Sequence, residues 1–474
     1  MIGEMRQVTL TGSSLTLDEL VAVARGRARV EIDPAALASM ARSRAVAERV
    51  IDEGAIAYGV TTGVGSRKSF GIEASESEHD RLLVRQHVIA QGSPVPHEVV
   101  RATALRLANA LAAATTVARP ELATHVVAVL NDDRLPAIRA LGSIGQSDLA
   151  QMADLADGIL DGFDLVRGEA ITLLNQSSFT TASGALAFAD ALILLDALDS
   201  AGALDLEALG ANPDALHPRI GEVRPYPGLQ ATLTRLRNLR AGSEVEARSL
   251  QDPLSFRTLA QLNGAARDAL DFVGRQIEIE LNAAQSNPLV LVAEERVISV
   301  GNFEIQPLAT ALDVARIALA PVITSAAERA VKLLQAPLTG LPEGLGARAG
   351  LAESALSELG IAVQAFAAEA RLLAQPVSFE MVSTTQAEGI EDRMTMAPLA
   401  ARRLEAMVEL GARVVSVELL LAAQACDLRG SRLGVGTGAL RDAVRAFAPF
   451  LEEGGILPDL ELLVDEIRSG RIGG

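Results

Sequence analysis

Few residues in this chain can do chemistry, and most of them sit in its loops. Its 474 residues include only two tyrosines, one cysteine and five histidines. Tyr58 heads a glycine-rich loop, YGVTTGVG at 58–65, with Arg67 and Lys68 just beyond it. A phenol has an ordinary pKa of about 10, so it serves as a base near neutrality only where positive charge or hydrogen bonds favour the phenolate. Arg67 and Lys68 could supply that potential; otherwise Tyr58 is a turn residue, ring packed and hydroxyl exposed. The loop is a weak phosphate cradle. It lacks GxxxxGK[ST], and no strand-loop-helix unit with an acidic residue roughly twenty positions later surrounds it.

The histidines (His79, His87, His97, His125, His217) show neither HxxxH nor HExxH spacing, so no metal site is expected. Cys426, within LLAAQACDLR, excludes an internal disulfide framework and reads as a small buried side chain. GVGTG at 434–438 reads as a turn between helices.

These residues must be positioned by helices. Apolar residues make up 49% of the chain but aromatic ones only 3%, with no Trp, so alanine and leucine must fill the core. Ala-rich helical patterns recur at 36–45, 97–118, 121–131, 179–200, 229–241 and 255–283, and longer ones at 305–335, 351–374 and 395–427. A short strand is expected near RQVTL, and VISVGNF at 297–303, preceded by NPLVLV, reads as a hairpin. The net charge of -18, without a basic run, argues against a nucleic-acid partner. No signal-like N-terminus or run of about 18 uncharged apolar residues is found. A soluble, cytoplasmic protein with no membrane partner is expected.

Taken together, the loops resemble those of the aromatic amino acid ammonia-lyases: the histidine, phenylalanine and tyrosine enzymes and their aminomutase relatives. YGVTTGVG is similar to the family's YGVNTGFG, LLNQSS (173–178) to LLNGTQ, RPYPG (224–228) to RPHPG, and LQDPLSFR (250–257) to VQDPYSLR. Further on, ELNAAQSNPL (280–289) is similar to ENSATDNPL, VGNFE (300–304) to GGNFH, IEDRMTM (390–396) to QEDHVSM, and VELLLAAQACDLR (417–429) to IELLAAAQALDLR. The matches run in the family's order over nearly the whole chain. The resemblance implies a mainly α fold: a long central helical bundle of the histidine ammonia-lyase type (191–474), a smaller N-terminal lobe (1–190) and minor β hairpins, in one continuous lyase unit. It also implies a homotetramer whose pockets are shared between subunits.

In such enzymes an Ala-Ser-Gly tripeptide within GSVGASGDLAPLA cyclises into methylidene-imidazolone, the electrophile that makes ammonia depart. Here the stretch reads GSIGQSDLAQMA (142–153): Gln146 stands for Ala, Ser147 for Ser, and Asp148 follows with no glycine between. Ring closure needs the third residue's nitrogen to reach the first residue's carbonyl across a tight bend that glycine permits. The group is therefore expected to be absent, and no other cofactor is expected. An Ala-Ser-Gly does occur at Ala182, Ser183 and Gly184, but inside a helical pattern, where the backbone amides are already bonded. The family's tyrosine in QDPYS is also lost, to Leu254.

The resemblance assigns the remaining roles. Tyr58 matches the catalytic base. Arg257 matches the arginine that grips the substrate carboxylate through two parallel hydrogen bonds, against a surface ion pair with Asp252 or Glu244. Asn175 would stand near the same carboxylate, or cap a helix N-terminus. His87 matches the position that reads the substrate ring, or is simply packed. Glu391 matches the acid facing the imidazole in the histidine enzymes, or is a loop charge beside Asp392 and Arg393. Phe303 falls in the altered NFH motif, where histidine becomes Glu304, and Arg393 replaces the histidine of QEDH.

The expected function is α,β-elimination from an amino-acid-like or betaine substrate with a carboxylate and a polar, imidazole-like ring. Ergothionase, which releases trimethylamine from the histidine betaine ergothioneine, resembles this logic, because a quaternary nitrogen leaves without an electrophile. Alternatives are an isomerase or cyclase working by conjugate addition, a non-catalytic lyase-like subunit, or an ordinary ammonia-lyase.

Overall fold

The computed structural model describes residues 7–72, 76–350, 352–378 and 386–473. The chain is mainly α-helical, and its three sheets have two strands each among the described residues. It divides into two compact units: 1–186 with 274–312 and 377–402, and 187–273 with 313–376 and 403–474. Both units are discontinuous in sequence.

In the first unit, Gln7–Leu10 pairs in parallel with Arg29–Ile32 across the helix Leu17–Ala24. Thr16 opens that helix with a capping box, its hydroxyl oxygen accepting from Glu19 N while Glu19 reaches back to Thr16 N. Pro34 and Pro120 start the helices Pro34–Asp52 and Pro120–Asn131, where a missing N–H costs nothing. The helix His97–Ala112 is buried from Val99 onward, filled by the alanines and leucines of VRATALRLANALA. The expected hairpin is present as Leu289–Leu291 paired antiparallel with Arg296–Ile298. Gln91–Pro94 pairs with Arg139–Leu141 and leads the chain into the loop at 142.

In the second unit the long patterns form Leu259–Asn282 (to 273), Gln306–Leu333 (from 313), Leu359–Leu373 and Ala397–Arg429 (from 403). Arg329 is wholly buried there, with Nε 2.7 Å from Asp205 Oδ2 and Nη2 2.6 Å from Glu418 Oε1. Cys426 is buried, as expected, and burial pushes its thiol far up.

The GVGTG stretch is a correction. The helix Val435–Arg445 begins inside it, and Gly436 and Gly438 lie in its first turns. A Cβ on Gly434 would come within 2.5 Å of the Arg240 backbone, and one on Gly436 within 2.8 Å of Leu239 Cα. These glycines permit close helix packing rather than a turn. Among the described residues, two helical segments, Glu169–Leu209 and Gln306–Leu333, are long and apolar enough to cross a membrane by length and composition, but 67% of each apolar window is buried inside the protein.

Candidate active site

The loop 142–148 is held from three sides. Gly142, Gly145 and Ser147 all take positive φ (121°, 80° and 61°). Ile144 O accepts from Thr395 N (3.2 Å) and Met396 N (3.0 Å), and Thr395 Oγ1 donates to Gly145 O (2.8 Å). A Cβ on Gly145 would lie 2.0 Å from that hydroxyl, so glycine is required by conformation and by space alike. At the loop's exit Asp148 N donates to Gln176 O at 2.8 Å. The fully buried Asp148 carboxylate accepts from Thr180 N, Thr180 Oγ1 and Ser143 Oγ at 2.7–2.8 Å. Burial raises this carboxyl above its ordinary range, and the three donors oppose that.

From this loop a line of polar contacts leads both ways. Ser147 Oγ donates to Asn175 Oδ1, and Asn175 Nδ2 donates to Asn287 O at 2.8 Å. Asn287 Oδ1 in turn accepts from Val300 N (2.9 Å) and Ser299 Oγ (3.2 Å). Asn175 follows the helix Glu169–Leu174 as its C-cap, so the N-cap alternative is not what it does. In the other direction Gln146 forms an antiparallel bridge with Glu304, and its Nε2 donates to Glu304 Oε2 at 2.6 Å. Arg393 Nη2 stands 3.8 Å from the same oxygen.

Tyr58 lies in a turn organised by Ala57 O, which accepts from the amides of residues 60 to 62. Its ring is half-buried, and its Oη accepts from Gly65 N at 3.0 Å. Burial raises the phenol's pKa, the Gly65 N–H lowers it, and the charge of Glu391 raises it again. Arg67 and Lys68 are exposed. The turn Gly65–Arg67 packs on Gln386–Gly389, which ends two residues before Glu391. Tyr58, Glu391, Arg393, Glu304, Gln146, Ser147 and Asn175 thus belong to one neighbourhood of the first unit.

His87 ends the turn after the helix Glu76–Gln86, half-buried, with Nδ1 2.8 Å from Leu83 O. A carbonyl can only accept, so Nδ1 carries the proton and Nε2 is the acceptor nitrogen. The strand entry beyond it runs past the loop: a Cβ on Gly142 would touch Ala90 Cα at 3.5 Å. Phe303 is partly exposed, and its carbonyl accepts from Ser177 Oγ at 3.4 Å. Arg257 belongs to the second unit, where its Nη1 donates to Gln251 Oε1 at 2.8 Å. The two acids considered as its surface partners are engaged elsewhere: Asp252 accepts from Asn212 N, and Glu244 pairs with Arg432. Of the loop 383–392, residues 383–385 lie outside the described residues.

The Ala-Ser-Gly at 182–184 sits within the helix Ser178–Leu209, as its pattern implies. Ala182 is fully buried, and a Cβ on Gly184 would meet Leu312 Cδ1 at 3.2 Å. Sequence reasoning missed Ser143, Thr180, Asn287 and Thr395. Asn287 had a signal, since it lies in the recognisable SNPL; a hydroxyl that bonds a loop 250 residues away leaves none.

Comparisons with known proteins give the family and the fold. The family model for aromatic amino acid lyase matches residues 15–162 and 159–446. A histidine ammonia-lyase of Symbiobacterium thermophilum is 35% identical over 492 residues, covering 97% of this chain and 96% of the relative. Among solved structures, ergothionase from Treponema denticola, in complex with desmethyl-ergothioneine sulfonic acid, superposes with a TM-score of 0.91 at 25% identity, covering 98% of this chain and 99% of that one. Tyrosine aminomutase from Streptomyces globisporus gives 0.90 at 27% identity, covering 98% and 97%. The chain belongs to the aromatic amino acid lyase family and is an ammonia-lyase-like enzyme.

Proposed function

We propose that this family member eliminates an amine from an amino-acid-like or betaine substrate bearing a polar ring, with Tyr58 as base and without methylidene-imidazolone. The observation that carries the proposal is the state of Asp148. Its nitrogen, the atom that would have to attack the Gln146 carbonyl, is bonded to Gln176 O, and its carboxylate is locked by three donors. Closing a five-membered ring through Asp148 would break a buried set of bonds, each worth about 1 kcal/mol or more, in a bend that lacks glycine. Gln146, Ser147 and Asp148 do not fit as precursors of the group.

The remaining chemistry is a proton transfer coupled to loss of nitrogen. Tyr58 phenolate takes the β-proton; the C–H pair becomes the Cα–Cβ double bond, and the C–N pair leaves with nitrogen. A primary ammonium is a poor leaving group at this point. A quaternary nitrogen departs as a neutral tertiary amine, so no electrophile is needed. Its fixed positive charge also has a second effect. Within one chain, burial and Glu391 both hold Tyr58 as the phenol, and a bound cation is what shifts it toward phenolate.

Arg257 serves as the carboxylate clamp and Asn175 as its amide partner. His87, with Nε2 open to accept, and Glu391 read an imidazole-like ring, with Phe303 beside them. The enzyme works as a cytoplasmic homotetramer whose pockets draw on several copies. The histidine ammonia-lyase names of the relatives favour a second reading, ordinary release of ammonia.

Incubation with histidine, tyrosine, phenylalanine and ergothioneine separates the two readings. The products are followed by the absorbance of the unsaturated acid and by assays for ammonia and trimethylamine. Trimethylamine from ergothioneine, with no ammonia from histidine, is expected; ammonia from histidine at a comparable rate would overturn the proposal.

A further inference from the structure

We infer that Glu304 selects a fixed positive charge on the nitrogen of the substrate, occupying with its carboxylate the neighbourhood that the altered loop leaves without an electrophile. The inference rests on the elimination reading above and names the feature of the substrate that the site recognises.

Glu304 is held by its surroundings rather than by a counter-ion. Its backbone is fixed by the bridge to Gln146 and by its own N–H, which donates to Gly301 O at 3.0 Å. Oε1 accepts from Gln306 N at 2.9 Å and Oε2 from Gln146 Nε2 at 2.6 Å. Both donors are neutral, so they orient the carboxylate and leave its charge in place. Arg393 is 3.8 Å away, too far for a hydrogen bond, and the two side chains remain 47% and 31% exposed. Such a pair is weak and readily exchanged for another cation. The result is an oriented anion with a solvent-facing side and loose compensation.

A quaternary ammonium suits that surface. It donates no hydrogen bond and needs only negative potential, whereas a primary ammonium would seek three acceptors, and each Glu304 oxygen, already accepting one bond, has only one further lone pair to offer. Position agrees with charge. Glu304 contacts Gln146, whose neighbour Ser147 leads to Asn175, and through Arg393 it lies on the stretch that carries Glu391 to Tyr58. A nitrogen held here belongs to a substrate whose carboxylate is near Asn175 and whose β-carbon faces the phenol.

The reaction then has a consistent charge balance. When the C–N bond breaks, its electron pair neutralises the nitrogen, the β-proton passes to Tyr58, and Glu304 loses its cation. Arg393 pairs with it again as the neutral amine departs. Glu304 therefore stabilises bound substrate more than the transition state, so its removal raises KM without lowering kcat.

The test uses full-length enzyme carrying Tyr58→Phe, so that ligands persist, and titration calorimetry with two probes, histidine betaine and imidazolepropionate. They share ring and carboxylate and differ in the trimethylammonium group. The betaine should bind about tenfold more tightly, a preference that Glu304→Gln removes while leaving imidazolepropionate within about twofold. Glutamine keeps the acceptor for Gln306 N, so the loop has a partner in both forms. A preference that survives Glu304→Gln, or one absent from the start, overturns the inference. If that variant loses both probes, Arg393→Gln decides: removing the competing cation should tighten betaine binding about threefold, and unchanged or weaker binding overturns the inference. Failure of the Tyr58 enzyme to release amine from any betaine would sink the elimination reading instead, and the binding preference reads independently of it.

Discussion

Ser147 donates its hydroxyl proton to Asn175 Oδ1 from a backbone position with φ of +61°. A serine in this region is uncommon and is held there by what surrounds it. Here the surroundings are the Thr395 contacts on one side and the Asp148 bonds on the other. The serine in this account orients Asn175; it is not raw material for a prosthetic group. Ser147→Ala should therefore reduce turnover by no more than about tenfold, the cost of one buried hydrogen bond. Steady-state kinetics on the responsive substrate check this, and abolition of turnover would show that the serine itself is consumed.

Tyr58 carries a larger share. Its hydroxyl accepts one backbone N–H, so Tyr58→Phe should change the melting temperature little while lowering kcat by about 10²- to 10⁴-fold, the range for a positioned acid or base. Turnover at the parent rate would remove Tyr58 from the mechanism.

The same phenol fixes the pH dependence. With Tyr58 as the base, phenolate would be the active form, and burial holds the pKa above the ordinary tyrosine value, so near neutrality the active fraction should grow as pH rises. The logarithm of kcat/KM should climb from neutrality to about pH 9, approaching a slope of one. Because a bound cation favours phenolate, the corresponding limb of kcat should lie at lower pH. A flat profile in both parameters would mean that a different group takes the proton.

A stability prediction comes from Asp80, away from the chemistry. Its buried carboxyl accepts from Ala170 N and Gly168 N, yet burial, helped by Glu169, pushes its pKa up to about 7 against Arg167 and those bonds. The native state thus holds a proton that the unfolded chain releases near pH 4. That contribution is fully present below the unfolded value and is lost as pH rises toward 7, at about 1.4 kcal/mol per pH unit. Urea titrations of Asp80→Asn should lack this slope. An unchanged slope between pH 4 and 7 would assign it to other groups.

The helices were largely legible because alanine and leucine repeat at helical spacing over many turns. Ser178–Leu209, Gln306–Leu333 and Ala397–Arg429 each extend or trim the expected 179–200, 305–335 and 395–427 by a turn or so, apart from the longer C-terminal run of the first. The helix Glu76–Gln86 was not anticipated, because ESEHDRLLVRQ has few apolar residues to set a period. Val435–Arg445 was obscured by glycines whose purpose is packing.

The site was legible as motifs and not as contacts. Family spacing pointed to Tyr58, His87, Asn175 and Glu391, each within a recognisable string. That Gln146 would pair with Glu304 could not be read, since the two are 158 positions apart and both depart from the family pattern. Substitutions that compensate one another look like two separate losses until a fold brings them together. Nor does a sequence show that Asp148 N is already bonded to Gln176 O, which is what turns a missing glycine into a physical obstacle.

Whether elimination proceeds without methylidene-imidazolone is decided by the intact mass of purified enzyme that is actively turning over a betaine. The expected mass is the unmodified sum of the sequence, with none missing at residues 146–148 or 182–184. A deficit of two waters, located by peptide mapping to either stretch, would contradict it.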